Sequence, residues 1–313
     1  MWRIGAFTVL IAALGFVDNG YVLNLLVVIA LHSMSALGLS LLMGYTGQIS
    51  LGHAAFYGLG AYGSALISMR LGISPWLSIF IATAIVAGMG WCLGWLVFRL
   101  RGHHLAMATL AFGVIVYVGF VELHDLTGGP NGLQNVPIFT VFGTYLDTDR
   151  LIYPVAWLAC ILTIILAHNL VKSPKGLAMR SVAENERVAA SLGQDVSALK
   201  RQILLLSAAW AAFAGGIWAH FLGYLSPNPF DVGFSIKLLV MVAIGGFANI
   251  WGVMFGVAFV TILGQVLKPF GFYDVVVYGF LLVTVMIFFP NGLLDGLIKL
   301  ARSAGRSLRG AQA

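Results

Sequence analysis

Hydrocarbon dictates what this chain can become. Apolar runs fall at 4–17, 21–43, 53–69, 76–98, 104–123, 151–171, 203–225, 236–250, 252–268 and 273–290, leaving little between them. A bilayer core takes about 20 apolar residues per helical crossing. Lipid admits only structures that satisfy their backbone polar groups internally, and the alternating pattern of a membrane barrel is absent. The expected fold is all-α, a single transmembrane domain over residues 1–313 built as a helix bundle of about ten crossings. With only 9% of residues charged, against about 25% in an average soluble domain, a water-soluble fold is excluded. Runs 4–17 and 236–250 are short, which leaves tilting, re-entry or a misplaced boundary open. The start, MWRIGAFTVLIAALGF, looks like a secretory leader, but no small-residue cleavage site precedes Asp18, so a retained first span is expected.

One long segment escapes the hydrocarbon. Residues 172–202 read KSPKGLAMRSVAENERVAASLGQDVSALKRQ and hold Lys172, Lys175, Arg180, Glu184, Glu186, Arg187, Asp195, Lys200 and Arg201. Within it Leu177, Met179, Val182, Ala183, Val188, Ala189 and Leu192 form an apolar stripe at helical spacing, and Gly193 stands where a helix would stop. A membrane protein with one large loop folded as an amphipathic helix presents that helix to something, and a soluble ATP-hydrolysing subunit is the expected occupant.

The basic residues also orient the chain. Arg99 and Arg101, the 172–202 loop, and the tail bearing Lys299, Arg302, Arg306 and Arg309 are the basic clusters; Glu122, Asp125, Asp147 and Asp149 face only Arg150. The positive-inside rule puts the former in the cytoplasm and the latter outside, with both termini inside after ten crossings. The same rule accounts for the net charge of +6 without nucleic acid.

Small residues recur at packing distance: Gly90 and Gly94, Gly252 and Gly256, Ala208, Ala212 and Gly216, with Ala211, Gly215 and Ala219 beside them. Such spacing lets helix backbones approach and speaks for a tight bundle. Proline and glycine interrupt the pattern at Gly44–Gly52, Thr127–Gly132, Pro227–Pro229, Gly245–Gly252 and Pro290–Gly292. The first break, GYTGQISLGHAAFYGLGAY, sets Tyr45, Thr46, Gln48, Ser50 and His53 between two apolar helices. Deep in the membrane it would line a pathway; near the surface it would be a cytoplasmic turn.

Chemistry is sparse. Glu122 and Asp274 lie near span ends, Lys237 and Lys268 can snorkel to an interface, and mid-span carboxylates, the usual mark of ion coupling, are not found. That favours energy supplied from outside the chain over a secondary carrier or channel. For His32, His53 and His220 a helix-packing hydrogen bond is the commoner role. Cys92 and Cys160 lie in apolar runs, away from any disulfide or metal pattern. HExxH, GxSxG and P-loop patterns are absent, and the arginines beside His103 and His104 follow from charge bias without a membrane enzyme.

Four motifs in order, GYTGQISLGHAAFYGLGAY, TGGPNGL at 127–133, the 172–202 loop and YLSPNPFDVGFSIKLLVMVAIGG at 224–246, resemble the permease family of branched-chain amino-acid ABC importers, of the LivM type, from about residue 35 to 295. The resemblance implies a non-catalytic, multi-pass subunit of the bacterial inner membrane. It would pair with a homologous second permease, two cytoplasmic ATP-binding subunits and a periplasmic solute-binding protein, with ATP and Mg on the partners and no cofactor on this chain. Relatives of this type also move urea, short amides and aromatic acids. The resemblance further implies a translocation pathway including Tyr45, Thr46, Gly47, Gln48, Ser50, Gly52 and His53, and Thr127, Gly128, Gly129, Asn131 and Gly132. Asn131 replaces the aspartate of many relatives, so a charge-based role does not carry over there. An ATPase-coupling surface would draw on Gly176, Arg180, Ala183, Glu184, Asn185, Arg187, Ala190, Leu192 and Gly193. Selection would reside mainly in the binding protein, with the permease acting as a gate moved by the Arg180–Leu192 helix as a rigid body.

Overall fold

The computed structural model describes residues 2–15, 18–100, 102–141, 144–146, 148–267 and 274–288. Arg101, Asp147, Lys268, the Pro290–Gly292 break and the basic tail lie outside the described residues. Each of the ten apolar runs forms a helix: α1 (Trp2–Leu14), α2 (Gly20–Ser40), α3 (His53–Leu71), α4 (Pro75–Val97), α5 (His103–Glu122), then after the short α6 (His124–Thr127) α7 (Asp149–Lys172). Beyond the hydrophilic α8 (Pro174–Glu184) and α9 (Glu186–Ser191) come α10 (Val196–Leu222), α11 (Val232–Gly245), α12 (Ile250–Leu267) and α13 (Asp274–Phe288). Among the described residues one pair of strands forms, a small hairpin before α7, β1 (Thr140–Val141) against β2 (Thr144–Tyr145).

Six of these helices are long and apolar enough to cross a membrane: α2 with its π-helical extension to Tyr45, α4, α5, α7, α10 and α12. At 1.5 Å per residue, the 14 residues of α11 reach only about 21 Å, short of a hydrocarbon core of about 30 Å. α3 is long enough but carries glycine, serine and histidine.

The bundle has a basic end and an acidic end. Arg99, α8, α9 and the start of α10 mark the first. The second holds Glu122, Asp125 and Asp149, tied down by Arg70 to the Asp125 carbonyl at 2.8 Å, Asn24 to Asp149 at 3.0 Å and Arg150 to Asp18 at 3.0 Å. Successive long helices run alternately between the two ends.

α2 and α10 form the centre; 89% of the α2 membrane window is buried, against 22% for α5. Amphipathic periodicity cannot distinguish inner from outer faces here, because lipid is as apolar as the core. The inward faces are marked by small and polar residues instead, with Ser33, Ser35, Ser64 and Ser207 fully buried while Leu158, Ile115 and Phe280 face outward. α10 packs most extensively on α3 and α4. A Cβ at Gly60 would lie 2.1 Å from the Ala212 carbonyl oxygen, and one at Gly215 would lie 1.9 Å from that of Tyr57. The Ala208 track meets Gly90 of α4 in the same way, and Gly245, Gly252 and Gly256 close the α11–α12 hairpin. The small-residue spacing is therefore helix packing.

Candidate functional site

The first break begins where α2 loosens. Leu41–Tyr45 form a π-helical turn, a local widening that lets another segment insert. The insert is the 246–249 turn between α11 and α12: Ser40 Oγ donates to the Phe247 carbonyl at 2.7 Å, and Tyr45 OH to that of Ala248 at 2.7 Å. A Cβ on Gly44 would overlap the Phe247 carbonyl. Residues 46–52 then run without regular structure, yet Thr46, Gln48 and Ser50 are buried. Hydrogen bonds within the protein satisfy them. Thr46 Oγ1 donates to the Leu42 carbonyl, Gln48 Nε2 to the Thr46 carbonyl, and the Leu51 amide to Thr109 Oγ1. His53 opens α3 fully buried, its ring nitrogens paired with Ser50 at 3.1 Å and Ser207 at 2.6 Å. Ser207 lies roughly 16 Å along α10 from that helix's start, so the break runs inward from the basic end.

At its outer lip the break meets the hydrophilic loop. Gly47, with φ of +68°, points its absent side chain at the Ala183 backbone of α8. Gln48 Nε2 donates to Glu186 Oε1 at 3.1 Å, and the same oxygen accepts from Lys200 of α10, whose side chain is 3% exposed. Glu186 thus joins α9, α10 and the break at one atom.

The loop departs from expectation in one respect. The single amphipathic helix is two helices, α8 and α9, parted at Asn185. That residue takes an extended backbone, and its side-chain oxygen accepts from the Arg187 and Val188 amides, capping α9 instead of continuing α8. The Arg180–Leu192 segment is accordingly not one rigid rod. Gly193 follows α9 at φ +86°, where the sequence set the stop. Gly176 sits tight beneath the Val171 carbonyl, and Arg180 donates to that carbonyl at 2.6 Å, fixing the corner between α7 and α8. Met179, Val182 and Ala189 face inward and are buried, while Leu177, Arg180, Ala183, Glu184, Asn185, Arg187, Val188, Ala190 and Leu192 are exposed. The outward face mixes apolar and charged groups.

The second group of expected pathway residues lies at the acidic end. Thr127 Oγ1 donates to the Phe120 carbonyl at 2.7 Å and accepts from the Gly129 amide. Gly128, Gly129 and Gly132 all have positive φ; Leu133 bridges to Leu225, and the exposed Asn131 accepts from Tyr224 OH. This turn clasps the 224–226 segment.

His53 and His220 are packing histidines, the latter paired with the Pro137 carbonyl at 2.6 Å and Ser78 at 3.3 Å. His32 is not: its ring sits among Tyr57 and Phe234 beside a cavity of about 550 Å³. Asp231 and Lys237 of the same cavity escaped sequence reasoning. The Lys237 ammonium lies 5.9 Å from the Tyr278 ring, which lines the same cavity. The signal that could have found the pair was Asp231, placed directly after the Pro227–Pro229 break as the N-cap of α11.

Residues 21–289 match the profile of a family described as branched-chain amino acid transport system / permease component. The chain belongs to that family. The permease is 31% identical over 312 residues, 92% of this chain and 73% of the relative, to the high-affinity branched-chain amino acid transport system permease protein LivM of Escherichia coli K12. It is 32% identical over 84% of this chain and 68% of the relative to the LivM protein of Salmonella typhimurium. The LivH permease protein of the same Salmonella strain matches at 24% identity over 84% of this chain and 91% of its own length. No solved structure matches. Six membrane-capable helices and these transporter relatives make the permease a multi-pass membrane protein.

Proposed function

We propose that this permease is the membrane subunit of an ATP-driven importer that takes up branched-chain amino acids, acting in a bacterial inner membrane through about ten crossings. The observation that carries this reading is the family match over residues 21–289, which spans the bundle and the α8–α9 loop together. It pairs with a second permease of the LivH kind; two cytoplasmic subunits bind ATP and Mg and hydrolyse the nucleotide; and a periplasmic binding protein delivers the solute. The chain itself is not an enzyme.

The geometry supports a particular coupling route. ATPase closure acts on the exposed face of α8 and α9, with Arg180, Ala183, Glu184 and Arg187 in contact. Displacement of α9 pulls on Glu186, which is bonded both to Lys200 at the foot of α10 and to Gln48 in the break. Small-residue contacts of α10 with α3 and α4 allow the helices to slide, and the 44–53 break opens or closes the basic end.

Reconstitution tests this. The assembled importer in proteoliposomes is expected to accumulate labelled leucine only with binding protein outside and ATP inside. This chain reconstituted alone is expected to accumulate none. Uptake against a gradient by the isolated chain, without nucleotide, overturns the proposal.

A further inference from the structure

The cavity beside His32 takes no part in the coupling contacts. It lies in the acidic-end half of the bundle, between the first half of α2, α3, the end of α10, the start of α11, the end of α12 and the start of α13. Its volume, about 550 Å³, falls in the range of small-molecule sites.

Three residues of its lining carry buried polar atoms. His32 Nδ1, Tyr57 OH and Thr261 Oγ1 have no hydrogen-bond partner among the described residues, and their side chains are only 8%, 2% and 3% exposed. A buried polar atom without a partner is a standing cost that folded proteins seldom retain. Three around one cavity, in a bundle whose buried His53 and His220 are both bonded, mark a place shaped for something that arrives.

The rest of the lining says what arrives. Asp231 brings a carboxylate, held at the N-terminus of α11 by the Phe234 amide at 3.0 Å. Lys237 brings an ammonium less than two turns further along the same helix. Val28, Trp218 and the Phe234 ring supply an apolar wall. One charge of each sign, hydroxyl and imidazole groups, and a hydrophobic surface complement a free zwitterionic α-amino acid with an apolar side chain.

We infer that the permease itself holds a binding site for the amino acid in transit, with Asp231 receiving the ammonium, Lys237 the carboxylate, and Tyr57 and Thr261 adding hydrogen bonds. The inference rests on the proposed function and deepens it. Selection is shared between binding protein and permease, and the site discriminates by requiring both charges on one small molecule. A urea-like or amide solute has no use for Asp231 and Lys237 together.

The test is equilibrium binding of labelled L-leucine to the assembled importer in nanodiscs without binding protein. Saturable binding is expected, displaced by valine and isoleucine but not by leucinamide, which lacks the carboxylate, or 4-methylpentanoate, which lacks the ammonium. Asp231→Asn and Lys237→Met are expected to weaken binding about 10-fold or more, and Tyr57→Phe and Thr261→Val roughly 3- to 10-fold. The last two preserve shape, and monodisperse elution confirms that each variant complex has assembled. An importer that transports leucine yet binds none by itself, or binds leucinamide or 4-methylpentanoate equally well, overturns the inference and leaves the function standing. So does wild-type binding in all four variants. No leucine uptake by the unmodified importer with its binding protein overturns the functional reading and the inference together.

Discussion

Gln48 and Glu186 lie 138 positions apart in sequence, yet their side chains share a 3.1 Å hydrogen bond where the first membrane break meets the hydrophilic loop. This contact makes the loop more than an appendage. Glu186 opens α9, accepts from the buried Lys200 on the helix that packs against α3 and α4, and accepts from the segment leading to His53. A displacement of α9 is therefore felt at two places in the bundle through one carboxylate.

The first prediction acts on that carboxylate. Gln48→Glu replaces a donor with a second negative charge beside Glu186. ATP hydrolysis by the assembled importer is expected to continue while leucine uptake falls roughly tenfold, a coupling loss of about 1.4 kcal/mol. Gln48→Ala, which removes the bond without repulsion, is expected to fall less. Parallel ATPase and uptake assays check it; equal loss of both activities would indicate damage to assembly instead of coupling.

The bond was half visible in the sequence. Gln48 stood out because polar residues between apolar helices need a reason, and the 172–202 loop stood out by its charge. Nothing local says that they meet, since the contact depends on how α2 and α10 pack, and packing in lipid is directed by close fit of small residues that a hydropathy pattern does not order. Helix positions were legible for the same reason that faces were not: every run is apolar all round. The break at Asn185 was obscured because apolar residues on either side keep helical spacing, while the side chain's choice to cap α9 is a local competition that periodicity cannot register. Lys237 reads in the sequence as a residue that can snorkel and Asp231 draws no notice; the fold sets both around one cavity.

Asn185 carries the second prediction. Removing its cap with Asn185→Ala is expected to cost α9 about 0.5–2 kcal/mol, enough to unravel a helix of 6 residues. Arg187, exposed in its first turn, should then become a faster trypsin site in the detergent-solubilised complex. Timed limited proteolysis measures the change, and an unaltered cleavage rate would mean that the cap does not hold the α8–α9 corner.

The third concerns the outward face. Glu184 is exposed at the end of α8, and Gly193 turns the chain after α9 at φ +86°. Glu184→Lys reverses a charge on the proposed docking surface, while Gly193→Val forces a β-branched residue into left-handed backbone at a cost of at least ~1–2 kcal/mol. Both are expected to uncouple ATP hydrolysis from uptake. Glu184→Lys should also weaken co-purification of the ATPase subunits, most at low salt and less at high salt, where screening shrinks the effect of the reversed charge. Wild-type transport in proteoliposomes with either substitution would count against the coupling surface.

The last prediction separates packing from coupling. Gly60 of α3 meets the Ala212 backbone of α10, and an added Cβ would stand 2.1 Å from that carbonyl oxygen. Backbone on both sides leaves no flexible side chain to yield, so Gly60→Ala must push the helices apart and is expected to destabilise the complex by about 1–3 kcal/mol. Gly88, where nothing lies within 4 Å of an added Cβ, provides the contrast. Gly88→Ala relieves glycine's helix penalty and is expected to raise stability by roughly 0.5–1 kcal/mol. Thermal unfolding in one detergent compares the two directly. Opposite shifts in melting temperature are expected, and a Gly60→Ala protein as stable as the parent would mean that the close approach of α3 and α10 is not what holds the bundle.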